Sequence, residues 1–111
     1  MTATYEDAGL IMQIARWGTE MGLEAAMAVI WAEDFDAETA SFSEEAIGKV
    51  AAFGEFIGTF VKHGILDEAL VLETWWLQGL GARVGPAAIR ERERMGEPRL
   101  FENFEAVATR S

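Results

Sequence analysis

Apolar residues recur every three or four positions along most of the chain, which is the spacing of one face of an α-helix. The strongest such stretch covers residues 47–61, and weaker ones cover residues 5–33, 70–77 and 100–107. No segment alternates cleanly between apolar and polar residues, and no Asn-Gly or Asp-Gly pair indicates a hairpin. The pattern therefore predicts an all-α fold, a compact bundle of five to six short helices that forms a single domain over residues 1–111.

Capping signals predict where two of these helices begin. Thr4 followed by Asp7 matches a capping box, in which a side-chain oxygen and an acid three residues later satisfy the first free amides. Ser41 followed by Glu44 has the same spacing, although Ser43 is an alternative cap. We expect one helix to start just after Thr4 and another just after the polar loop that precedes these serines.

The middle of the chain contains a predicted stop and a predicted restart. Gly64 follows the strongest apolar stretch and predicts its end, because helices often stop at a glycine in left-handed conformation. Asp67 is placed to cap a new helix. We expect this helix to continue through Trp75 and Trp76 to Gly79.

Two more interruptions are predicted from glycine and proline. Gly18-Thr19 breaks the apolar stripe of residues 5–33, and whether this segment forms one kinked helix or two stays open. Three glycines ahead of Pro86 weaken a helix by about 1 kcal/mol each relative to alanine. We expect a break near residues 80–85 and a separate helix from residue 86 to about residue 95.

Another pair of glycines has a packing role. Gly54 and Gly58 lie four residues apart on the predicted central helix. In a membrane this spacing typifies a helix–helix contact, and in a water-soluble helix it allows a neighbouring helix to approach closely. We expect a neighbouring helix to pack closely here.

The charge of the chain excludes some partners. Nineteen acids against nine bases give a formal net charge of −10. Residues 1–45 carry −9, residues 46–81 carry −2 and residues 82–111 carry +1. A field of this sign repels nucleic-acid phosphates and anionic lipid surfaces, so we expect no nucleic acid and no membrane among the partners.

The sequence shows no targeting signal and contains no cysteine. The longest apolar run, residues 25–32, is far shorter than the roughly 20 residues of a membrane span. The first ten residues lack the basic segment of a signal peptide, so we expect a cytoplasmic protein. The chain has no cysteine, which excludes disulfides and thiolate catalysis.

The chemistry-bearing residues form no catalytic set. Asp34, Asp36, Glu38 and Glu45 have the spacing of calcium-loop positions 1, 3, 5 and 12, but the turn glycine and the ninth-position ligand are missing. His63 is the single histidine, and its position just before a predicted helix end favours a surface role over a general base. We expect no catalytic residue, no metal site and no cofactor.

Four tryptophans in 111 residues raise the question of a pocket. Tryptophans line apolar ligand sites, although in a helical bundle they more often belong to the core. A small-ligand or enzymatic pocket would draw on Trp17, Trp75 and Trp76, with His63 or Arg83 beside the rings. This pocket is the alternative interpretation of the sequence.

A second copy of the chain is the preferred partner. Trp75 and Trp76 are adjacent on a predicted helix, so they point about 100° apart and leave that helix apolar around much of its circumference. A two-fold contact would cover such a face. We expect Leu72, Trp76 and Leu80 to line this dimer interface.

Three segments of the second half carry a family resemblance. Phe53–Val71 combines an apolar helix, a glycine stop and an acid-capped restart. Pro86 precedes an arginine-rich run at residues 90–94, and residues 96–105 read GEPRLFENFE. Over Phe53–Ala108 the chain resembles a bacterial family of small uncharacterised all-helical domains, a domain of unknown function. The resemblance implies an all-α fold and supplies no activity.

These observations favour a non-enzymatic helical module over an enzyme. The absence of a catalytic set and the excess of tryptophan point to a domain that associates with itself as a homodimer or with an unknown protein partner.

Overall fold

Six α-helices follow one another along residues 3–110, the part of the chain that the computed structural model describes. No strand occurs among these residues, so the predicted all-α fold is confirmed. None of the six helices is long and apolar enough to cross a bilayer. The helices are α1 (Tyr5–Met21), α2 (Leu23–Ile30), α3 (Glu45–Lys62), α4 (Glu68–Thr74), α5 (Leu77–Met95) and α6 (Glu102–Ala108).

Helix α3 lies at the centre of the bundle. Its apolar face, including Ile47, Val50, Phe53 and Ile57, is completely buried. Helices α2, α5 and α6 pack against it, and α1 contacts α2. Burying each large apolar side chain stabilises the fold by about 1.5–3 kcal/mol, so this face accounts for much of the hydrophobic stabilisation.

The first segment consists of two helices, and the predicted interruption at Gly18-Thr19 is wrong. The break falls at Gly22, which has a left-handed φ of +81°. Gly18 lies inside α1 and is buried, and a Cβ there would come within 3.2 Å of the Leu23 side chain. Thr19 also lies inside α1, where its hydroxyl donates to the Ala15 carbonyl one turn earlier. Gly18 therefore serves close packing rather than a turn.

Three of the predicted helix boundaries are confirmed. The Thr4 hydroxyl accepts a hydrogen bond from the Asp7 N–H at 3.1 Å, and Asp7 Oδ2 accepts one from the Thr4 N–H at 2.8 Å. Gly64 follows the end of α3 with a φ of +71°. Asp67 Oδ2 accepts from the Leu70 N–H at 3.0 Å and caps α4.

The capping box predicted at Ser41 is absent. The carboxylate of Glu44 accepts from the Ser41 N–H at 3.1 Å, but the Ser41 hydroxyl accepts from the Ser43 N–H at 3.0 Å. Helix α3 begins later, at Glu45, without a side-chain cap. The serines therefore stabilise a turn in the loop before the helix.

The two adjacent tryptophans do not lie on one helix, which corrects the premise of the predicted dimer face. Helix α4 ends at Thr74, and Trp75 is extended with a φ of −125° and a ψ of 133°. Trp76 then precedes α5. The Trp75 ring packs edge-on against Phe53, while the Trp76 ring stacks on Trp31. The neighbouring indoles thus make two different aromatic contacts, one with the core and one on the surface.

Helix α5 runs without a break through residues 80–85 and includes Pro86, so the predicted separate helix from residue 86 is wrong. Its buried face, including Leu80 and Val84, packs against the core. A Cβ at Gly81 would clash with Ala108 of α6. Tertiary packing of this face outweighs the unfavourable helix propensity of the glycines.

The expected close approach at Gly54 and Gly58 is confirmed. A Cβ at Gly54 would clash with the Phe104 ring, and one at Gly58 would clash with the backbone carbonyl of Asn103. Helix α6 therefore packs across these two glycines. This crossing holds the C-terminal helix against the centre of the bundle.

Candidate functional site

Two tryptophans from distant parts of the chain stack on the surface. Trp31 follows α2 and Trp76 precedes α5, and their ring centroids lie 5.2 Å apart with an angle of 9° between the planes. Trp76 is 66% exposed and Trp31 is 36% exposed. The Trp76 ring also lies over Gly79, where a Cβ would come within 2.5 Å of it. A large apolar area is therefore held in one orientation and left open to solvent.

Arg83 fixes this pair from the side of α5. Its guanidinium carbon lies 5.5 Å from the centre of the Trp31 ring and 5.7 Å from that of Phe35, within the range of a cation–π contact. Its Nη1 donates to the backbone carbonyls of Ile30, at 3.1 Å, and Ala32, at 3.4 Å. These carbonyls end α2, where a cation is electrostatically favourable. We call Trp31, Phe35, Trp76 and Arg83 the tryptophan surface.

A second arginine of α5 holds the loop that follows Trp31. Arg90 lies two turns after Arg83, and its Nη2 donates to the carbonyls of Ala37, at 2.9 Å, and Ala40. The spacing of Arg90 and Glu93 suggests an ion pair, but Arg90 instead binds backbone oxygens. Helix α5 therefore positions both the tryptophan surface and the loop next to it.

The five residues predicted for a ligand pocket lie in three separate places. Trp17 stacks on Phe53 with 5.7 Å between centroids, and Trp75 contacts the same ring edge-on at 5.4 Å. Both indoles are half-buried and pack against the core. Trp76 and Arg83 belong to the tryptophan surface, and His63 is exposed at the end of α3. The arrangement does not gather them around one cavity.

The three residues predicted for a dimer interface differ in burial. Trp76 is well exposed, Leu72 is half-buried against the core and Leu80 is only 2% exposed. Leu80 points into the bundle because α5 starts at Leu77 and turns its apolar face toward α3. Among these three residues, Trp76 has the surface that a partner could contact.

The acidic loop has the geometry of a turn. Asp36 Oδ1 accepts from the Glu38 N–H at 2.9 Å, which is an Asx turn. Within residues 3–110, no three or more His, Cys, Asp or Glu side chains lie close enough together to hold one metal ion. Asp34, Asp36, Glu38 and Glu45 are all exposed.

Ion pairs on the surface shift the pKa values of some acids. Glu91 and Arg94, three residues apart on α5, form an ion pair with 2.7 Å between Oε2 and Nη2. The hydrogen bond from Arg94 lowers the pKa of Glu91 below its ordinary value. In the same way, the hydrogen bond from Arg99 lowers the pKa of Glu102. The arginine of each pair is largely exposed to solvent, so the pairs contribute little to stability.

Sequence reasoning misses Trp31 and Phe35 as site residues. The helical pattern places Trp31 on an apolar stripe, yet it stands near the end of the longest apolar run, immediately before an acidic loop. A large aromatic residue at such a boundary is the signal that could have identified it. Its partners, Trp76 and Arg83, are more than 40 positions away, so no local pattern connects them with Trp31.

The six helices define a small all-α domain that carries the tryptophan surface on its exterior. The chain belongs to the family described as Domain of unknown function (DUF4760), which matches residues 22–111. The match confirms the expected family of unknown function and includes the predicted region Phe53–Ala108. No curated protein and no solved structure matches the chain.

Proposed function

We propose that the chain is a non-enzymatic interaction module that associates with a second copy of itself through the tryptophan surface. The observation that supports this proposal is the stacked pair of Trp31 and Trp76, of which Trp76 is 66% exposed. Tryptophan is among the residues that contribute most to binding at protein interfaces. Large apolar side chains that lie together in the open often mark a contact surface.

The tryptophan surface is also pre-organised. Trp76 packs against Gly79 and Trp31, and Arg83 makes a cation–π contact with the Trp31 ring. Ordering a flexible side chain at an interface costs about 0.5–1.5 kcal/mol, and this cost is reduced when the rings are already fixed. A partner can therefore bury these rings with little loss of conformational entropy.

Charge supports a second copy as the partner. Arg83 makes hydrogen bonds to carbonyls rather than an ion pair with a carboxylate within the described residues, so its positive charge is available. The segment that contains Trp31 is acidic, with Glu33 and Asp34 directly after it. In a two-fold contact, Arg83 of each copy would face the acidic residues of the other copy. This arrangement offsets part of the repulsion between two chains of net charge −10.

Light scattering at micromolar concentration tests the proposal. We expect a dimer for the unmodified chain and a monomer for Trp76→Glu, with unchanged helicity by circular dichroism. Tyr5→Glu is the matched control, because Tyr5 is an aromatic residue that is 98% exposed at the start of α1, and it should remain dimeric. A mass near the 12.2 kDa of one chain for the unmodified protein would refute self-association. A dimer that survives Trp76→Glu would place the interface elsewhere.

A further inference from the structure

Helices α5 and α6 enclose an apolar groove that the tryptophan surface does not touch. The two helices are in tight contact at Gly81, where a Cβ would clash with Ala108. One turn later they have separated, and a Cβ at Gly85 would meet no atom within 4 Å. The separation leaves a groove of about 360 Å³. Its main apolar walls are Ala82, Pro86, Ile89, Phe101 and Phe104.

The charged residues of the groove neutralise each other. Arg92 and Glu105 both line it, and Arg92 Nη1 lies 3.4 Å from Glu105 Oε1. Arg92 Nε also donates to the Leu100 carbonyl at 2.9 Å. The groove therefore presents no net charge, while the whole chain carries −10 and repels anions. An uncharged occupant matches this environment better than an anion.

Pro86, on the wall of the groove, leaves one backbone carbonyl of α5 without its helical donor. Pro86 has no N–H, so the carbonyl oxygen of Ala82 lacks the hydrogen bond that an α-helix normally supplies from four residues later. Ala82 and Pro86 both line the groove. A ligand with an N–H or O–H can donate to this carbonyl and gain orientation from it.

The volume of the groove indicates a small molecule as its occupant. Ligand pockets have volumes of about 300–1,000 Å³ and combine apolar walls with a few polar groups. The groove volume of about 360 Å³ lies at the lower end of this range, which fits a small molecule. We propose that the groove between α5 and α6 binds a small, uncharged, mainly apolar molecule that carries one hydrogen-bond donor.

A fluorescent probe with these properties tests the proposal. N-phenyl-1-naphthylamine is neutral and apolar and carries one N–H, and its fluorescence rises when it leaves water. We expect saturable binding of one probe per chain. Gly85→Leu should weaken this binding by about tenfold or more, because the new side chain fills the groove. Gly9→Leu is the matched control, since a Cβ at Gly9 also meets no atom within 4 Å, on helix α1.

Three further measurements sharpen the test. The first, the melting temperature, distinguishes a filled groove from a damaged fold. Gly85→Leu should keep or raise the melting temperature, because it replaces a helical glycine in open space, and loss of binding then reflects a filled groove. Trp76→Glu should bind the probe as the unmodified chain does, which separates this site from the proposed dimer contact. The anionic relative 8-anilinonaphthalene-1-sulfonate should bind about tenfold more weakly than the neutral probe.

Several results would overturn the proposal. One is the absence of saturable binding to the unmodified chain. Another is unchanged binding by Gly85→Leu, or equal loss of binding by Gly9→Leu. Tighter binding of the anionic dye would contradict an uncharged ligand. Dissociation of a dimer by Gly85→Leu would show that a second copy occupies the groove instead of a small molecule.

Discussion

The carboxylate of Glu55 on α3 holds the first turn of α6 through Asn103. Glu55 Oε1 accepts from the Asn103 N–H at 3.0 Å, and Oε2 accepts from its side-chain amide at 2.8 Å. Oε1 also accepts from the Phe104 N–H at 2.9 Å. Helix α6 has no side-chain cap of its own, because the residue before it, Phe101, has no hydrogen-bond acceptor in its side chain; Phe101 is in left-handed conformation with a φ of +59°. A residue nearly 50 positions away therefore satisfies amides that a helix start leaves free.

Removing this carboxylate should destabilise the fold. We expect Glu55→Ala to lower the free energy of unfolding by about 1–3 kcal/mol, because it leaves partly buried N–H groups without acceptors. Glu55→Gln should have a smaller effect, since its amide oxygen can still accept. Urea denaturation measures both. The exposed Glu73 provides the control, and Glu73→Ala should stay within about 0.5 kcal/mol of the unmodified chain. Equal effects at the two positions would contradict the capping role.

Two glycines of α3 should respond in opposite ways to the same substitution. Gly58→Ala places a methyl group against the backbone of Asn103, which cannot move without displacing α6, and should cost about 1–3 kcal/mol of stability. At Gly48 a Cβ meets no atom within 4 Å, so Gly48→Ala should gain up to about 1 kcal/mol from helix propensity. Thermal unfolding of the two variants tests this contrast, and a stabilised Gly58→Ala would show that α6 does not pack as described.

Local sequence signals predict the parts of the fold that local interactions determine. The caps at Thr4 and Asp67 and the stop at Gly64 depend on atoms within a few residues of each other, and each of these predictions is confirmed. The predictions at Gly18 and at residues 80–85 fail for the opposite reason. Gly18 and Gly81 allow close contacts with residues from other helices, and their sequence neighbourhood cannot distinguish this role from a helix break.

The candidate site shows the same limit. The sequence identifies Trp76 because two adjacent tryptophans cannot both fit one core stripe, although the helix assumed for them is absent. It does not assign Trp31 and Arg83 to the same surface, because their contacts join three segments of the chain. The stacking of Trp76 depends on the end of α4, which the helical pattern does not predict.

Arg90 should control the order of the loop between α2 and α3. Its guanidinium holds the carbonyls of Ala37 and Ala40, so Arg90→Ala leaves the loop without this anchor. We expect faster amide hydrogen exchange in residues 34–42 and unchanged helicity. Arg94→Ala is the control, because Arg94 pairs with Glu91 on the surface and contacts no loop carbonyl. Equal exchange in the two variants would show that Arg90 does not anchor the loop.

Asp7 links the start of α1 to the start of α4, and this contact makes stability depend on pH. Hydrogen bonds from the Thr4 N–H, the Thr4 hydroxyl and the Asp67 N–H lower the pKa of Asp7 below its ordinary value of 3.8. In the unfolded chain these hydrogen bonds are lost and the pKa returns to that value. The ionised carboxylate is therefore favoured by folding.

A group with a lower pKa in the folded state stabilises the fold above its ordinary pKa, and this stabilisation disappears as the pH falls through the folded pKa. We therefore expect Asp7→Asn to be less stable than the unmodified chain at about pH 7 and to lose less stability on acidification below about pH 4. Urea denaturation from about pH 7 to below about pH 4 measures the difference in the free energy of unfolding between the two chains. The other acids are the same in both chains, so their contributions cancel in this difference. Glu6→Gln is the control, because it removes an acid from the same helical turn that makes none of these hydrogen bonds. The stability difference between Glu6→Gln and the unmodified chain should not shrink as the pH falls. If the stability difference between Asp7→Asn and the unmodified chain is the same at about pH 7 and below about pH 4, ionisation of Asp7 does not stabilise the link between α1 and α4.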